Sequence, residues 1–286
     1  MTSPINENIQ KFYDASSQLW EDTWGEHMHH GYYGPDGKAV KDDYQAQVDL
    51  IEELLKWGKV ESAKEILDLG CGIGGSALHL ASKYDCNIHG LTLSPVQANR
   101  ATERAEAADL SRQAQFHVAD AMKPPFPAGK FDLVWSMESG EHMPDKRKFL
   151  ESCFAMLKPG GLLLMATWCH RNTPPALSDE ENEELMKLYD AYHLPYIIST
   201  DDYARQAGEI GFIDIDTADW SDAVAPFWQA VVKSVFRVKS LSGLVQSGWT
   251  TIRGAFAMSI MIRGYRSGLI KFGLLQARKP AAPVNP

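Results

Sequence analysis

From Glu65 onward, short apolar runs alternate with stretches whose apolar residues recur at helical spacing. The runs Glu65–Leu69, Asn87–Leu93, Gln115–Asp120, Phe131–Ser136 and Leu162–Trp168 predict strands, and residues 75–83, 95–108 and 145–157 predict the helices between them. Pro95 suits the first turn of a helix, where its missing N–H is not needed. Lys158-Pro159-Gly160-Gly161 predicts a hard stop. The strands read as continuous apolar runs, without polar alternation, which predicts a parallel sheet covered on both faces. After Trp168 the alternation ends. Residues 169–200 form a long connection with helical content at 178–191, and a capped helix starts at Ser199. Gly211–Asp216 gives a sixth strand, 223–266 two helices that break near Gly243 and Gly248, and Ile270–Ala277 a seventh strand. Residues 1–60 read as mostly helical, at 5–14 and again from Tyr44 to Trp57. The expected architecture is α/β, with 1–60 an N-terminal helical flap, 61–286 the main domain, and 169–200 with 223–266 a cap on it.

Composition leaves this picture unchanged: 286 residues, 44% apolar and 23% charged, are ordinary for a globular chain. Charge adds to it. Residues 1–222 hold 19 Lys/Arg and all 37 Asp/Glu, while 223–286 hold nine Lys/Arg and no acid. Such asymmetry points to an anionic partner for the C-terminal part or to its packing on the acidic body. Nucleic acid is not expected, because the basic residues are scattered through an apolar region; peripheral contact of 223–266 with a membrane suits it better. No apolar run reaches about 18 residues, so no spanning helix is expected. The four cysteines lack Cys-x-x-Cys spacing, which argues for reduced thiols. Met1–Ile9 lacks a signal peptide's basic start and apolar core, so the expectation is a cytoplasmic chain with no signal or transit peptide.

The chemistry gathers where the strands end, as it does in open parallel sheets. Asp68-Leu69-Gly70-Cys71-Gly72-Ile73-Gly74-Gly75 reads as strand, tight turn, helix. Glycine there permits positive φ and a close backbone approach by a ligand, and the next helix presents free N–H groups. Gly70, Gly72 and Gly75 match a dinucleotide pattern formally, yet the acid expected about 20 residues on is replaced by Thr92. Thr92 and Gln97 offer hydroxyl and amide groups at the second strand end. Asp120 and the Ala121 backbone N–H follow the third and suit adenine. Ser136-Met137-Glu138-Ser139-Gly140-Glu141-His142 follows the fourth, and its carboxylates and imidazole make it the place for a general base, Glu141 with His142. Three histidines, His27, His29 and His30, lie in an aromatic run that closes in turns. No further acid or spaced histidine completes a metal shell, so no metal is expected.

With Asp68 inside it, the glycine stretch resembles motif I of the class I S-adenosylmethionine (SAM) methyltransferases. The Gly90-Leu91-Thr92-Leu93-Ser94 run resembles cyclopropane fatty acid synthases and tocopherol methyltransferases. Trp24–Tyr33, Leu67–Ser76, Leu91–Gln97, Lys130–Met143 and Leu157–Ala166 together resemble the gamma-tocopherol methyltransferase family, which includes plant indole-alkaloid N-methyltransferases. The likeness implies a Rossmann-like class I fold with a seven-stranded, mostly parallel sheet and a helical cap. It implies a SAM site formed by Tyr13, His29, His30, Asp68, Gly70, Gly72, Gly74, Thr92, Gln97, Asp120, Ala121 and Ser136. It further implies an aromatic acceptor with an apolar tail, met by Trp24, Tyr32, Met137, Trp168, His170, Tyr192 and Trp228. The activity implied is methylation of the chromanol ring, gamma- to alpha- and delta- to beta-tocopherol, with N-methylation of an amine or SAM binding without catalysis as the alternatives. The start of the chain resembles a cyanobacterial-type member, or a plant chain without its leader.

Overall fold

The computed structural model describes residues 10, 14, 21, 25–238 and 248–281, with 233–238 and 248–256 as backbone only. The elements are α1 (Asp43–Trp57), β1 (Glu65–Leu69), α2 (Gly75–Tyr84), β2 (Asn87–Thr92), α3 (Pro95–Ala107), β3 (Ala114–Val118), β4 (Phe131–Met137), α4 (Lys146–Met156), β5 (Leu157–His170), α5 (Asp179–Tyr192), α6 (Thr200–Ile210), β6 (Ile213–Asp219), α7 (Ser221–Val224), α8 (Pro226–Val238), α9 (Gly248–Ser267) and β7 (Ile270–Arg278). Side-chain caps fix several helix starts. Asp42 accepts from the Tyr44 and Gln45 N–H groups, Ser94 from Gln97 N–H, and Ser178 forms a reciprocal box with Glu181.

The seven strands form one sheet in the order β3-β2-β1-β4-β5-β7-β6. β1 to β5 run parallel, and β7 is antiparallel to both β5 and β6. Strand order reverses between β1 and β4, so the crevice of the sheet opens beside the end of β1. The central strands are buried on both faces, as their unbroken apolar runs require. One core lies under α1, α2 and the cap, and includes Leu50, Ile66, Leu133, Leu164, Trp168 and Trp228. The other lies under α4 and α6, and includes Leu67, Val134, Phe149, Leu163 and Tyr203.

Several boundaries differ from the pattern reading, β3 for one ending at Val118 and not Asp120. The helix stop before Lys158 holds, but β5 begins at Leu157, because Gly160 N–H donates to the Lys279 carbonyl and Lys279 N–H to Gly161. β6 starts at Ile213 and runs to Asp219, being set by pairing with β7. Within the cap, Gly243 lies outside the described residues, and so does most of the helix read at 5–14.

Candidate functional site

A cleft opens at the carboxyl ends of the parallel strands. Its floor is the turn after β1. Gly70 has φ +86°, and a Cβ there would lie 2.3 Å from Ser139 Cβ, so both conformation and packing demand glycine. At Gly72 a Cβ would meet only Met28 Sδ, at 3.6 Å, so this backbone faces the cleft. Gly74 does not line the cleft. It backs onto Phe116 and Ala101 as the residue that starts α2. Asp68, at 2% exposure, borders the cleft, and its Oδ2 has no hydrogen-bond partner among the described residues. Burial pushes its carboxyl up to about 7. A buried carboxylate oxygen left unpaired beside a glycine floor fits a ligand bearing an ammonium group. The amino-acid end of SAM carries one.

The ends of β2 and β3 supply the other wall. Thr92 hydroxyl donates to Gln97 Oε1 at 2.7 Å and accepts from Ser94 N–H at 3.1 Å, so Thr92 orients Gln97 in the cleft. Ser94 hydroxyl donates to Asp14. Asp120 and Ala121 line the cleft, and Asp120 accepts from Met122 N–H at 2.9 Å. Hydroxyl, amide and carboxylate groups in this order suit a nucleoside.

Residues 26–29 cover the cleft. Gln47, fully buried on α1, donates from Nε2 to the carbonyls of His27 and His29, at 3.1 and 2.8 Å. Arg104 on α3 donates to the Glu26 and Ile73 carbonyls, at 3.1 and 2.7 Å, and pairs with the Glu26 carboxylate at 3.0 Å. One guanidinium thus ties the covering segment to the glycine turn. His29 lines the cleft and shares its Nδ1 with the His30 carbonyl at 2.8 Å.

His30 does not line the cleft. It sits behind it in an aromatic cluster, with ring centroids 6.0 Å from Trp168, 4.8 Å from Phe227, 5.2 Å from Trp228 and 5.3 Å from Phe272. Tyr192 joins through Trp168 and Trp228. Glu138 stands between cluster and cleft. It accepts from His30 N–H at 2.6 Å, His30 Nδ1 at 2.7 Å and Trp168 Nε1 at 3.2 Å. Burial raises its carboxyl, but the charge and hydrogen bonds of His30 outweigh this and hold it below the usual range. Its φ of +50° is uncommon for a side-chain-bearing residue and is held by its N–H donating to Ala166 at 2.8 Å.

The expected acid–imidazole pair divides. His142 lines the cleft, and burial lowers its imidazole to about 3. Glu141, at 1% exposure, lies behind the turn, accepts from Thr167 hydroxyl at 2.7 Å and does not reach the cleft. Burial, then the neighbouring Glu138 charge, pushes Glu141 up to about 8. Ser136 is also behind the wall, bonded to Ser139 at 2.7 Å. Met137 lines the cleft. Tyr32 packs at a tilt against Trp220, and His170 bonds the Arg171 carbonyl, both away from the cleft. Tyr13 and Trp24 lie outside the described residues. Several residues were not singled out from sequence: Gln47, Arg104, Ser139 and Lys146. Lys146 is fully buried and donates to the Gly140, Glu141 and Met143 carbonyls at 2.9, 2.9 and 2.7 Å, which shapes the turn. The one advance signal is Arg104, a charge on the inner side of an otherwise amphipathic helix. No group of metal-binding side chains occurs among the described residues.

Comparison with known proteins bears on the family and the fold. A family described as "Methyltransferase domain" matches residues 66–161. The chain is 48% identical to the probable tocopherol O-methyltransferase, chloroplastic, of Oryza sativa subsp. japonica, covering 96% of this chain and 79% of that protein. It is 46% identical to the tocopherol O-methyltransferase, chloroplastic, of Arabidopsis thaliana, covering 98% and 84%. It is 32% identical to norajmaline N-methyltransferase of Rauvolfia serpentina, covering 95% and 97%. Among solved structures, a geranyl diphosphate methyltransferase in complex with GPP and sinefungin superposes with a TM-score of 0.77 at 20% identity, over 97% of this chain and 100% of that one, a likeness of fold. The two tocopherol relatives are chloroplastic, which overturns the cytoplasmic placement expected from the sequence.

Proposed function

The chain belongs to the tocopherol methyltransferase family of SAM-dependent enzymes, and on that footing we propose that it methylates the chromanol ring of tocopherols at the carbon ortho to the hydroxyl, taking gamma- to alpha- and delta- to beta-tocopherol. The observation that supports this most is the wall after β4. Met137 and Glu138 border the glycine-floored cleft on one side, and on the other Glu138 holds the aromatic cluster of His30, Trp168 and Trp228. Bound in the cleft, SAM supplies an electrophilic methyl on a sulfonium sulfur. Asp68 would hold its ammonium, Gly72 its amino-acid backbone, Gln97 its ribose and Asp120 its adenine. Residues 26–29, tied down by Gln47 and Arg104, exclude water from the reacting centre. With the partners so placed, methyl transfer is chiefly a matter of alignment. No metal enters this scheme.

A phenol is nucleophilic at oxygen and at its ortho carbon, and the two tocopherol relatives are named O-methyltransferases. The carbon reading rests on the hydroxyl being held by protein groups, which turns the ring edge toward the methyl. Incubation with labelled SAM and gamma-tocopherol, followed by separation of ring-methylated product from methyl ether, tests it. Label in alpha-tocopherol is expected; label only in the ether overturns it. The relation to norajmaline N-methyltransferase favours a second reading, an amine acceptor, which the same assay on indole amines separates. For the tail, the cap helices α8 and α9 offer apolar cover, and we extend the proposal to peripheral contact of this basic region with a membrane.

A further inference from the structure

One residue of the turn after β4 stays open where its neighbours close. Residues 133–141 are buried except Glu138, whose side chain keeps 9% of its surface exposed and lines the cleft. The backbone reaches that position through a left-handed turn that side-chain-bearing residues seldom adopt, with φ +50°. Strain of this kind collects at functional sites. Sheet order says which part of the cleft Glu138 meets. The nucleoside groups stand at the ends of β2 and β3, the glycine floor at the end of β1, and β4 is the next strand beyond. Glu138 therefore faces the side of the cleft that those groups leave to the acceptor. Met137 beside it still reaches the floor, its Sδ 3.9 Å from Ser76 Oγ at the start of α2.

The carboxylate has a place for one more donor. Oε1 accepts from His30 N–H at 2.6 Å, and Oε2 accepts from His30 Nδ1 at 2.7 Å and Trp168 Nε1 at 3.2 Å. A carboxylate offers about four lone-pair sites, and these bonds fill three. The peptide and indole N–H groups do not titrate near neutrality, so each oxygen is an acceptor whichever charge the imidazole carries. What binds at the remaining site on Oε1 must bring a donor. On a chromanol the hydroxyl is the only one.

From this geometry we infer that Glu138 receives the hydroxyl of the phenolic acceptor and so selects the ring carbon over the oxygen for methylation. This rests on the phenolic reading above and names the group that holds the hydroxyl. With its O–H donated to Glu138, the oxygen is kept at the wall, and the adjacent ring carbon is the nucleophilic atom left facing the donor. That carbon forms its new C–C bond as the methyl–sulfur bond breaks, and the sulfonium becomes a neutral thioether. The positive charge that enters the ring spreads to the hydroxyl oxygen, where a fixed carboxylate stabilises it. The ring proton on the methylated carbon then leaves to water and the phenol is restored, so one proton is released per turnover. Glu138 touches the acceptor; His30 and Trp168 act through it and are positioning residues.

The test uses the whole chain saturated with S-adenosylhomocysteine and two ligands, gamma-tocopherol and the same chromane lacking its hydroxyl, titrated by calorimetry. The wild-type protein should bind the phenol roughly tenfold or more tightly than the deoxy compound, as a hydrogen bond to a charged acceptor requires. In Glu138→Gln the two ligands should bind within about threefold of each other, a neutral amide being the weaker acceptor. With labelled SAM, the ratio of ring-methylated product to methyl ether should fall roughly tenfold or more in the same variant. A merely structural role would weaken both ligands alike and leave the product ratio unchanged. Should Glu138→Gln lose S-adenosylhomocysteine binding, the wild-type comparison alone decides. Equal wild-type affinity for the two ligands, or a cofactor-binding Glu138→Gln that keeps either ratio, would overturn the inference while leaving the phenolic reading intact. A wild-type protein that binds S-adenosylhomocysteine yet neither binds nor methylates a phenol would overturn that reading itself, and this inference with it.

Discussion

Asp68 carries the sharpest consequence at the scale of single residues. Its carboxyl sits near 7 in the folded chain because burial disfavours its charge. Its folded value lies above the unfolded one, so its contribution to stability is full below about pH 4 and is lost as pH rises through 7. An ammonium-bearing ligand takes the ionised form. S-adenosylhomocysteine should therefore bind more tightly as pH rises from about 5.5 to 7, by up to about tenfold per pH unit, with release of a proton. Calorimetry in buffers of different ionisation enthalpy measures that proton. Asp68→Asn should weaken binding by roughly tenfold or more and flatten the pH slope. That Asp68, Gly70 and Gly72 line the cleft was legible in the sequence, because strand end, turn and cleft floor lie within five consecutive positions. Glu138 and Glu141 were not separable there. Three residues apart on one loop, they differ only through the left-handed turn at Glu138 and the donors that His30 and Trp168 bring from elsewhere in the chain.

Among the elements, the turn after β4 depends on one buried ammonium. Burial lowers Lys146 to about 7, yet three carbonyls converge on it and its Nζ lies 4.8 Å from the Tyr196 ring centre. Lys146→Met should remove the donor these carbonyls share and destabilise the fold by about 3 kcal/mol, read as a lower midpoint in urea with unchanged slope. Gly70→Ala should also destabilise, since the new methyl would overlap Ser139 and the φ of +86° suits no side chain; the cost is roughly 1–3 kcal/mol, read the same way. The strands and helices were legible to within a few residues, because their periods are local. The start of β5 was not, because Lys279, more than a hundred residues away, decides whether Gly160 and Gly161 extend the strand.

For the whole molecule, the charge asymmetry resolves in part into internal pairing: Arg263 meets Glu184 at 3.4 Å and Lys271 meets Asp219 at 2.9 Å. Arg266 stays exposed. No described helix is long and apolar enough to cross a membrane. If the cap nonetheless meets a lipid surface, Arg266→Glu should reduce sedimentation with anionic vesicles and slow turnover of gamma-tocopherol, while leaving a tail-less chromanol unaffected. Equal loss on both acceptors would remove the membrane from the account. The segment after Gly25 has a consequence of its own. Met28 and His29 line the cleft and His30, next in sequence, packs in the aromatic cluster behind it, while Gln47 holds the carbonyls of His27 and His29. Whatever settles on one side of so short a lever must be felt on the other. Donor product and phenol should therefore bind with positive synergy, each raising the other's affinity by the same factor, and severing the grip with Gln47→Leu should make the two sites ignore one another.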